Sequence, residues 1–234
     1  MFKEIKVLLA IDTSTENCSV ALEKAGRIFS VSEVASQKHA SLILPMIDKV
    51  LAKAKAAKED LSGIIFGQGP GSFTGVRIGV STAQGLALGL NLKVVGVSDL
   101  KTMALMAAEE NDGICVASID ARMGEVYLGI YKKSGTLLED IIEECVVTPE
   151  KAVELINIHA QNYVAIAGTG VAILQNNGLD SDLEVKVLYP EARAMITLAH
   201  DSFAQGLGVD PAFALPIYIR NEVTWKKLSE QKSK

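Results

Sequence analysis

The chain has 234 residues, 49% of them hydrophobic, and a formal net charge of −5. That length suits two modest domains, because single domains run about 100–200 residues. The acidic balance excludes a broad basic footprint for nucleic acid, and the apolar run within residues 1–9 is too short for a signal-peptide core or a bilayer span, so a cytoplasmic protein without membrane attachment is expected.

In chain order, residues 6–11 run apolar into Asp12, residues 13–17 form a polar turn, and an alternating strand over residues 18–22 leads to a turn at Gly26. The pattern then recurs: residues 114–119 run apolar into Asp120, residues 121–124 turn, and residues 125–131 form a strand closed by a turn at Gly135. One strand, turn, strand unit is therefore used twice. Between the copies, the pattern predicts a strand over 28–34, a helix over 37–55, a buried strand over 63–67, a helix over 74–90 and a strand over 92–97. A further helix capped by Ser98 or Asp99 ends near residue 110 and joins the halves. In the second half, Thr148 and Pro149 open a helix, since proline at the first helical position loses no needed donor. A strand over 163–167, a short helix after Gly170, a strand over 185–188 and a long helix over 191–205 follow. The tail beyond Pro211 reads as irregular, with Lys226, Lys227, Lys232 and Lys234 as a solvated end. Cys18, Cys115 and Cys145 lie in apolar runs and read as reduced core residues. The fold class is α/β: two related domains, residues 1–105 and 106–234, with mixed sheets flanked by helices and the last helix free to pack back on the first domain.

Hairpin-led halves with an aspartate ending each first strand are the layout of the actin, hexokinase and Hsp70 type of fold, in which two turns grip nucleotide phosphates. Asp12, Thr13 and Ser14 are the candidates for the first turn, although that turn has no glycine and its hydroxyls could serve only to cap it. Residues 67–75, Gly-Gln-Gly-Pro-Gly-Ser-Phe-Thr-Gly, join a strand to a helix start where an anion could sit, but the lysine of a P-loop is absent. In the second turn, Asp120 is followed by Arg122 where small residues would be expected. A structural ion pair of Arg122 with Asp12 or Glu125 is the favoured reading, anion binding the other.

The helices carry a second signal. Gly75, Gly79, Ala83 and Ala87 recur at a spacing of four, leaving a face bare enough for another helix, and Gly79 and Gly85 need close packing to offset about 0.8–1 kcal/mol each. The preceding helix carries Leu42, Ile43, Leu44, Met46, Ile47, Val50, Leu51 and Ala54 over an arc of roughly 200°, more than one-sided burial needs. A protein interface built from Leu42, Met46, Ile47, Val50, Gly75, Val76, Gly79 and Ala83 is expected, with Pro45 bending the first of these helices. His39 reads as near a helix start, His159 and His200 as solvent-facing, and no metal site or catalytic set can be assembled from spacing.

Residues 11–14 (Ile-Asp-Thr-Ser), 69–79 (Gly-Pro-Gly-Ser-Phe-Thr-Gly-Val-Arg-Ile-Gly) and 120–127 (Asp-Ala-Arg-Met-Gly-Glu-Val-Tyr) together closely resemble the TsaB family over the whole length. The resemblance implies two actin-like (ribonuclease H-like) domains. It also implies a role in forming N6-threonylcarbamoyladenosine beside the anticodon of tRNAs reading codons that begin with A. TsaD, of the same superfamily, carries out that transfer. Its metal-binding His-x-x-x-His would fall on Asp99 and Met103, which cannot hold a metal as two imidazoles do. Residues 167–170, with Gly168 and Gly170, look like a relic of its nucleotide-binding turn. The resemblance thus implies a non-catalytic subunit with no cofactor, nucleotide being held at most weakly and within the complex. Its partners would be TsaD, docked through the N-terminal half, and the ATPase TsaE, with tRNA reached only indirectly and a homodimer through the same helices when TsaD is absent. An actin-like ATPase or small-molecule kinase, and a metallopeptidase-like protein, are the rival readings.

Overall fold

The computed structural model describes residues 7–220, apart from residues 36, 110, 181 and 183. The lysines beyond residue 220 and the start of the first expected strand lie outside the described residues. Strand β1 (Val7–Asp12) is apolar up to its final aspartate and wholly buried, as a strand covered on both faces must be. It pairs antiparallel with β2 (Asn17–Lys24) and parallel with β4 (Gly63–Gly67). Ala25 and Gly26, both at positive φ, form the tight turn into β3 (Arg27–Val34), because such a turn matches the twist of the flanking strands. With β5 (Val94–Val97) the first sheet has the order β3-β2-β1-β4-β5. Helices α1 (His39–Ala54) and α2 (Phe73–Leu90) cover one face.

The second sheet repeats the plan. Strands β6 (Gly113–Arg122), β7 (Glu125–Ser134), β8 (Leu137–Val147) and β9 (Ala165–Ala167) take the order β8-β7-β6-β9. Helix α4 (Pro149–His159), capped by the Thr148 hydroxyl, and α5 (Val171–Asn176) cover one face. Strand β8 is not among the elements the sequence pattern predicts. Conversely, residues 185–188 form no strand: Val187 accepts one backbone bond from Gly168 at 2.8 Å, where the first half has a full β4–β5 ladder.

The two remaining helices exchange partners. Helix α3 (Asp99–Ala108), capped by Ser98, follows the first sheet in sequence yet packs Leu100, Met103, Ala104 and Ala108 against β6, β7 and β9. Helix α6 (Ala192–Ala204) packs Ala192, Met195, Ile196, Ala199 and Phe203 against Leu8, Ala10, Ala21 and Ile65 of the first sheet. A boundary at residue 105 therefore cuts through α3, which belongs by packing with the second sheet. The tail is irregular but tethered. Gln84 Nε2 donates to the Pro211 and Ala214 carbonyls at 3.2 and 3.0 Å, the Ile217 N–H donates to the Gln68 carbonyl at 2.8 Å, and Arg220 pairs with Glu125 of the second half.

Candidate functional site

The sequence repeat places two turns facing each other, after β1 and after β6, and the structure treats them differently. In the first, Asp12, Thr13 and Ser14 are almost fully buried. They are covered by the glycine loop and the start of α2. The Ser72 N–H donates to the Ser14 carbonyl at 2.7 Å, and the Thr13 hydroxyl donates to the Gly75 carbonyl at 2.7 Å. A side chain at Gly71 would collide with the Ser14 carbonyl and one at Gly75 with the Thr13 carbonyl, while a methyl at Gly79 would lie 2.9 Å from Thr13 Oγ1. At Gly75 and Gly79 the bare face of α2 is thus occupied by the chain's own first turn, while Ala83 and Ala87 are buried in the first core. Gly85 differs: it is exposed, and a methyl added there would meet nothing within 4 Å, so the packing expected of it is absent.

Beneath this cover lies a pair of acids that sequence spacing could not reveal. Asp12 and Asp99 are both fully buried and converge on Gly67, where a methyl would approach Asp99 Oδ1 at 2.8 Å and clash with Asp12 Oδ1. Asp12 Oδ1 accepts from the Ser14 N–H at 2.9 Å and Asp99 Oδ2 from the Gly69 N–H at 2.8 Å. Asp12 Oδ2, Asp99 Oδ1 and Ser14 Oγ are buried without a hydrogen-bond partner among the described residues. Burial pushes the Asp12 carboxyl up to about 6, against the pull of the Ser14 N–H. Burial, and then the charge of Asp12, drives Asp99 well above the usual carboxylate range. Two carboxyls this close do not both ionise, so the pair holds a proton where isolated carboxylates would have lost theirs. Nearby Cys18 is buried and free, its thiol pushed up to about 12 by burial and by Asp12, which makes it inert at neutral pH.

The second turn is open. Asp120 accepts from the Arg122 N–H at 2.7 Å, and Arg122, Met123 and Gly124 all take positive φ and stand exposed. The Arg122 guanidinium pairs with Asp120 at 2.9 Å and reaches across to Glu16 of the first half at 3.1 Å. It pairs with neither Asp12, which is sealed away, nor Glu125, which is taken by Arg220. Behind this turn, the Gly170 N–H donates to the Ser118 carbonyl at 2.9 Å, and at Gly168, which takes positive φ, an added methyl would collide with the Ser118 carbonyl and lie 3.2 Å from Met103 Cε. Helix α3 therefore serves both halves: Asp99 in its first turn abuts Gly67, and Met103 one turn later abuts Gly168. The two positions expected to stand where a metal pair would sit are fully buried packing residues. Among the described residues no group of three or more His, Cys, Asp or Glu is placed to hold a metal ion.

The expected interface residues divide. Met46, Ile47, Val50, Gly75, Val76, Gly79 and Ala83 are buried in the chain's own first core, so the wide apolar arc is explained mostly by internal packing. Leu42 is half-buried, and Leu44 and Phe73 on the same helices are 55% and 62% exposed. The Arg77 guanidinium carbon stands 3.3 Å from the centre of the Phe73 ring and 5.4 Å from that of Tyr218, fixing an exposed aromatic cluster at the start of α2.

Known proteins are similar to this chain in sequence and in fold. A protein described as tRNA threonylcarbamoyladenosine biosynthesis protein TsaB from Escherichia coli is 42% identical over 226 residues, covering 94% of this chain and 97% of its own length. The chain belongs to the TsaB family. The Haemophilus influenzae TsaB is 41% identical over 235 residues, covering 94% of this chain and 96% of its own. A family model described as TsaD, tRNA N6-adenosine threonylcarbamoyltransferase, matches residues 29–215. The solved structure of YeaZ from Pseudomonas aeruginosa is 38% identical with a TM-score of 0.82, covering 91% of this chain and 99% of its own. A second Pseudomonas aeruginosa structure, described as an uncharacterized protein with similarity to peptidase YeaZ, is 39% identical with a TM-score of 0.84, covering 92% and 100%. The fold is that of the actin-like superfamily to which TsaB-family chains belong.

Proposed function

We propose that this chain is a non-catalytic subunit of the machinery that forms N6-threonylcarbamoyladenosine in tRNA, binding TsaD and assembling with the ATPase TsaE. The process is carried by family membership, since the E. coli and H. influenzae relatives are named for it. The non-catalytic role rests on one observation: the first turn, where a superfamily enzyme would take phosphate, is filled by the glycine face of its own α2. A phosphate would have to displace a helix start held by one backbone hydrogen bond and one from the Thr13 hydroxyl. At the second turn, Arg122 lies where a phosphate-binding turn needs small residues. No cofactor is required, nucleotide being at most weakly held within the complex, and tRNA is met through the partner. No helix among the described residues is long and apolar enough to cross a membrane, and a cytoplasmic location is proposed.

The docking surface is the exposed part of α1 and α2, with Leu44 and Phe73 as anchors. Mixing the chain with TsaD and following mass by light scattering tests this: association is expected, and Leu44→Glu with Phe73→Glu should abolish it. Absence of association by the unaltered chain contradicts the proposal. Ile47 cannot be used as the probe, because burying it contributes roughly 1.5–3 kcal/mol to the fold and a charge there would unfold α1. Micromolar binding of Mg-ATP by the isolated chain would favour the kinase or ATPase reading, and a stoichiometric bound transition metal the metallopeptidase-like one. Self-association through the same exposed part of α1 and α2 is proposed when TsaD is absent, with Leu44 and Phe73 the residues both contacts would share.

A further inference from the structure

Strand β3 ends the first sheet, so one side of its backbone is unpaired by the sheet order. Lys24 and Arg27 flank the two-residue turn as a hydrogen-bonded pair, so Ile28, Ser30, Ser32 and Val34 turn their backbone groups away from β2. The side chains of these four residues also share one face, because side chains alternate along a strand. All four line a cleft of about 1100 Å³, together with Leu105 and Met106 of α3, Lys133 and Thr136 at the β7–β8 turn, and Leu188 and Tyr189 ahead of α6. Asn17 ties the two walls together, accepting from the Ser32 hydroxyl at 2.9 Å and donating through Nδ2 to the Pro190 carbonyl at 3.0 Å. The wall opposite β3 holds an underused donor. Lys133 is 5% exposed, and its ammonium donates to the Asn111 carbonyl at 3.2 Å and to Asp112 Oδ1 at 3.1 Å. Its third N–H has no acceptor among the described residues.

We propose that this cleft takes a single extended peptide segment of a partner protein, added antiparallel to β3 as a further strand of the first sheet. The space exceeds the roughly 300–1,000 Å³ that suits a small molecule. Eight residues, set opposite positions 34 back to 27, span about 27 Å at about 3.4 Å each. A lone segment has only two backbone edges to satisfy. The free edge of β3 meets one, and Lys133 with the Thr136 and Tyr189 hydroxyls supplies donors to carbonyls of the other. Lys53 Nζ, which covers the Ser30 carbonyl at 3.1 Å, is a guard of the kind that edge strands carry and is displaced on binding. The edge also sets the peptide's chemistry. On the cleft face Ile28 and Val34, 46% and 63% exposed, flank the two small serines, so bulky apolar side chains at alternate peptide positions fill the space against Leu105, Met106 and Leu188. On the opposite face Phe29 and Val31 pack on the first core, and the exposed Arg27 and Glu33 at the two ends favour an acid and a base opposite them. In strand addition of this kind the main chain gives affinity and the alternate side chains give specificity. The site is separate from Leu44 and Phe73 and does not rest on docking to TsaD.

Fluorescence anisotropy of the labelled, end-blocked octapeptide Val-Lys-Leu-Thr-Leu-Thr-Val-Glu, titrated with the full chain, is the test. Saturable binding is expected. N-methylation of the two leucines, whose N–H groups face β3, should weaken it by about ten-fold or more, whereas N-methylation of the two threonines, whose N–H groups face the other wall, should weaken it far less. Exchanging the peptide's lysine and glutamate should cost about ten-fold, and a chain carrying both Arg27→Glu and Glu33→Arg should prefer the exchanged peptide. In hydrogen exchange on the unaltered chain, the amides of Ser30 and Ser32 should gain protection when the peptide is present. Absence of saturable binding, binding indifferent to which pair of amides is methylated, or protection confined to other parts of the chain overturns the proposal.

Discussion

The turn after β1 and the turn after β6 belong to two copies of one strand, turn, strand unit, yet one is closed and the other open. Thr13 and Ser14 are buried under α2, with two carboxyls packed against Gly67 below them, whereas Arg122 and Met123 are exposed and the arginine clasps Glu16 across the gap. The difference arises in the helices that succeed each unit. After β4 comes a long helix whose small residues let it settle on the turn; after β9 comes the short α5, and Gly168 and Gly170 ahead of it press on Ser118, leaving residues 122–124 of the turn exposed. A duplicated scaffold can thus bury one of its turns by close packing and leave the other exposed.

The largest expected effect is at the closed turn. Gly75→Ala sets a methyl against the Thr13 carbonyl, a backbone atom that cannot yield without moving α2, and should cost about 2–4 kcal/mol in chemical denaturation. An unchanged midpoint would mean that α2 does not clamp the turn. Next, Asp99→Asn should stabilise the chain by about 2–3 kcal/mol at neutral pH, because it ends the conflict between two buried carboxyls and supplies a donor to Asp12. The sign follows from the raised Asp12 carboxyl: its contribution is present in full below about pH 4 and is lost as pH rises through about 6. Thermal melts of the unaltered chain should therefore fall between about pH 4 and 6, and those of Asp99→Asn should fall less. Gly85→Ala, on the open side of the same helix, should raise stability by about 0.5–1 kcal/mol, opposite in sign to Gly75→Ala. Smallest of all, Arg122→Ala should change stability by less than about 1 kcal/mol, since its ion pairs are solvent-screened.

The duplicated hairpins were legible in the sequence because an apolar run ending in aspartate, a turn and an alternating strand leave a pattern that packing does not alter. The small-residue face of α2 was visible too, but its occupant was not. A stripe at positions 75, 79 and 83 says that something approaches, and only the tertiary fold says that it is Thr13. Strand β8 escaped because Glu139, Asp140, Glu143 and Glu144 break its apolar alternation, its register slips against β7, and much of it is partly exposed. Residues 185–188 have the apolar alternation of a strand but lack a ladder partner. The Asp12–Asp99 pair was out of reach, since each aspartate reads locally as a strand end or a helix cap and only the sheet brings them together. Arg122 was expected in an ion pair and is in one, with partners that depend on how the halves face each other.

The central claim is that the closed turn contributes structure and not chemistry. Threonylcarbamoylation of a tRNA that reads codons beginning with A, reconstituted with TsaD and TsaE, tests it most directly when this chain is supplied with both Asp12→Asn and Asp99→Asn. Modification is expected to depend on the chain and to proceed at the unaltered rate with the double variant. Loss of modification by a double variant that still folds and still binds TsaD would contradict that claim.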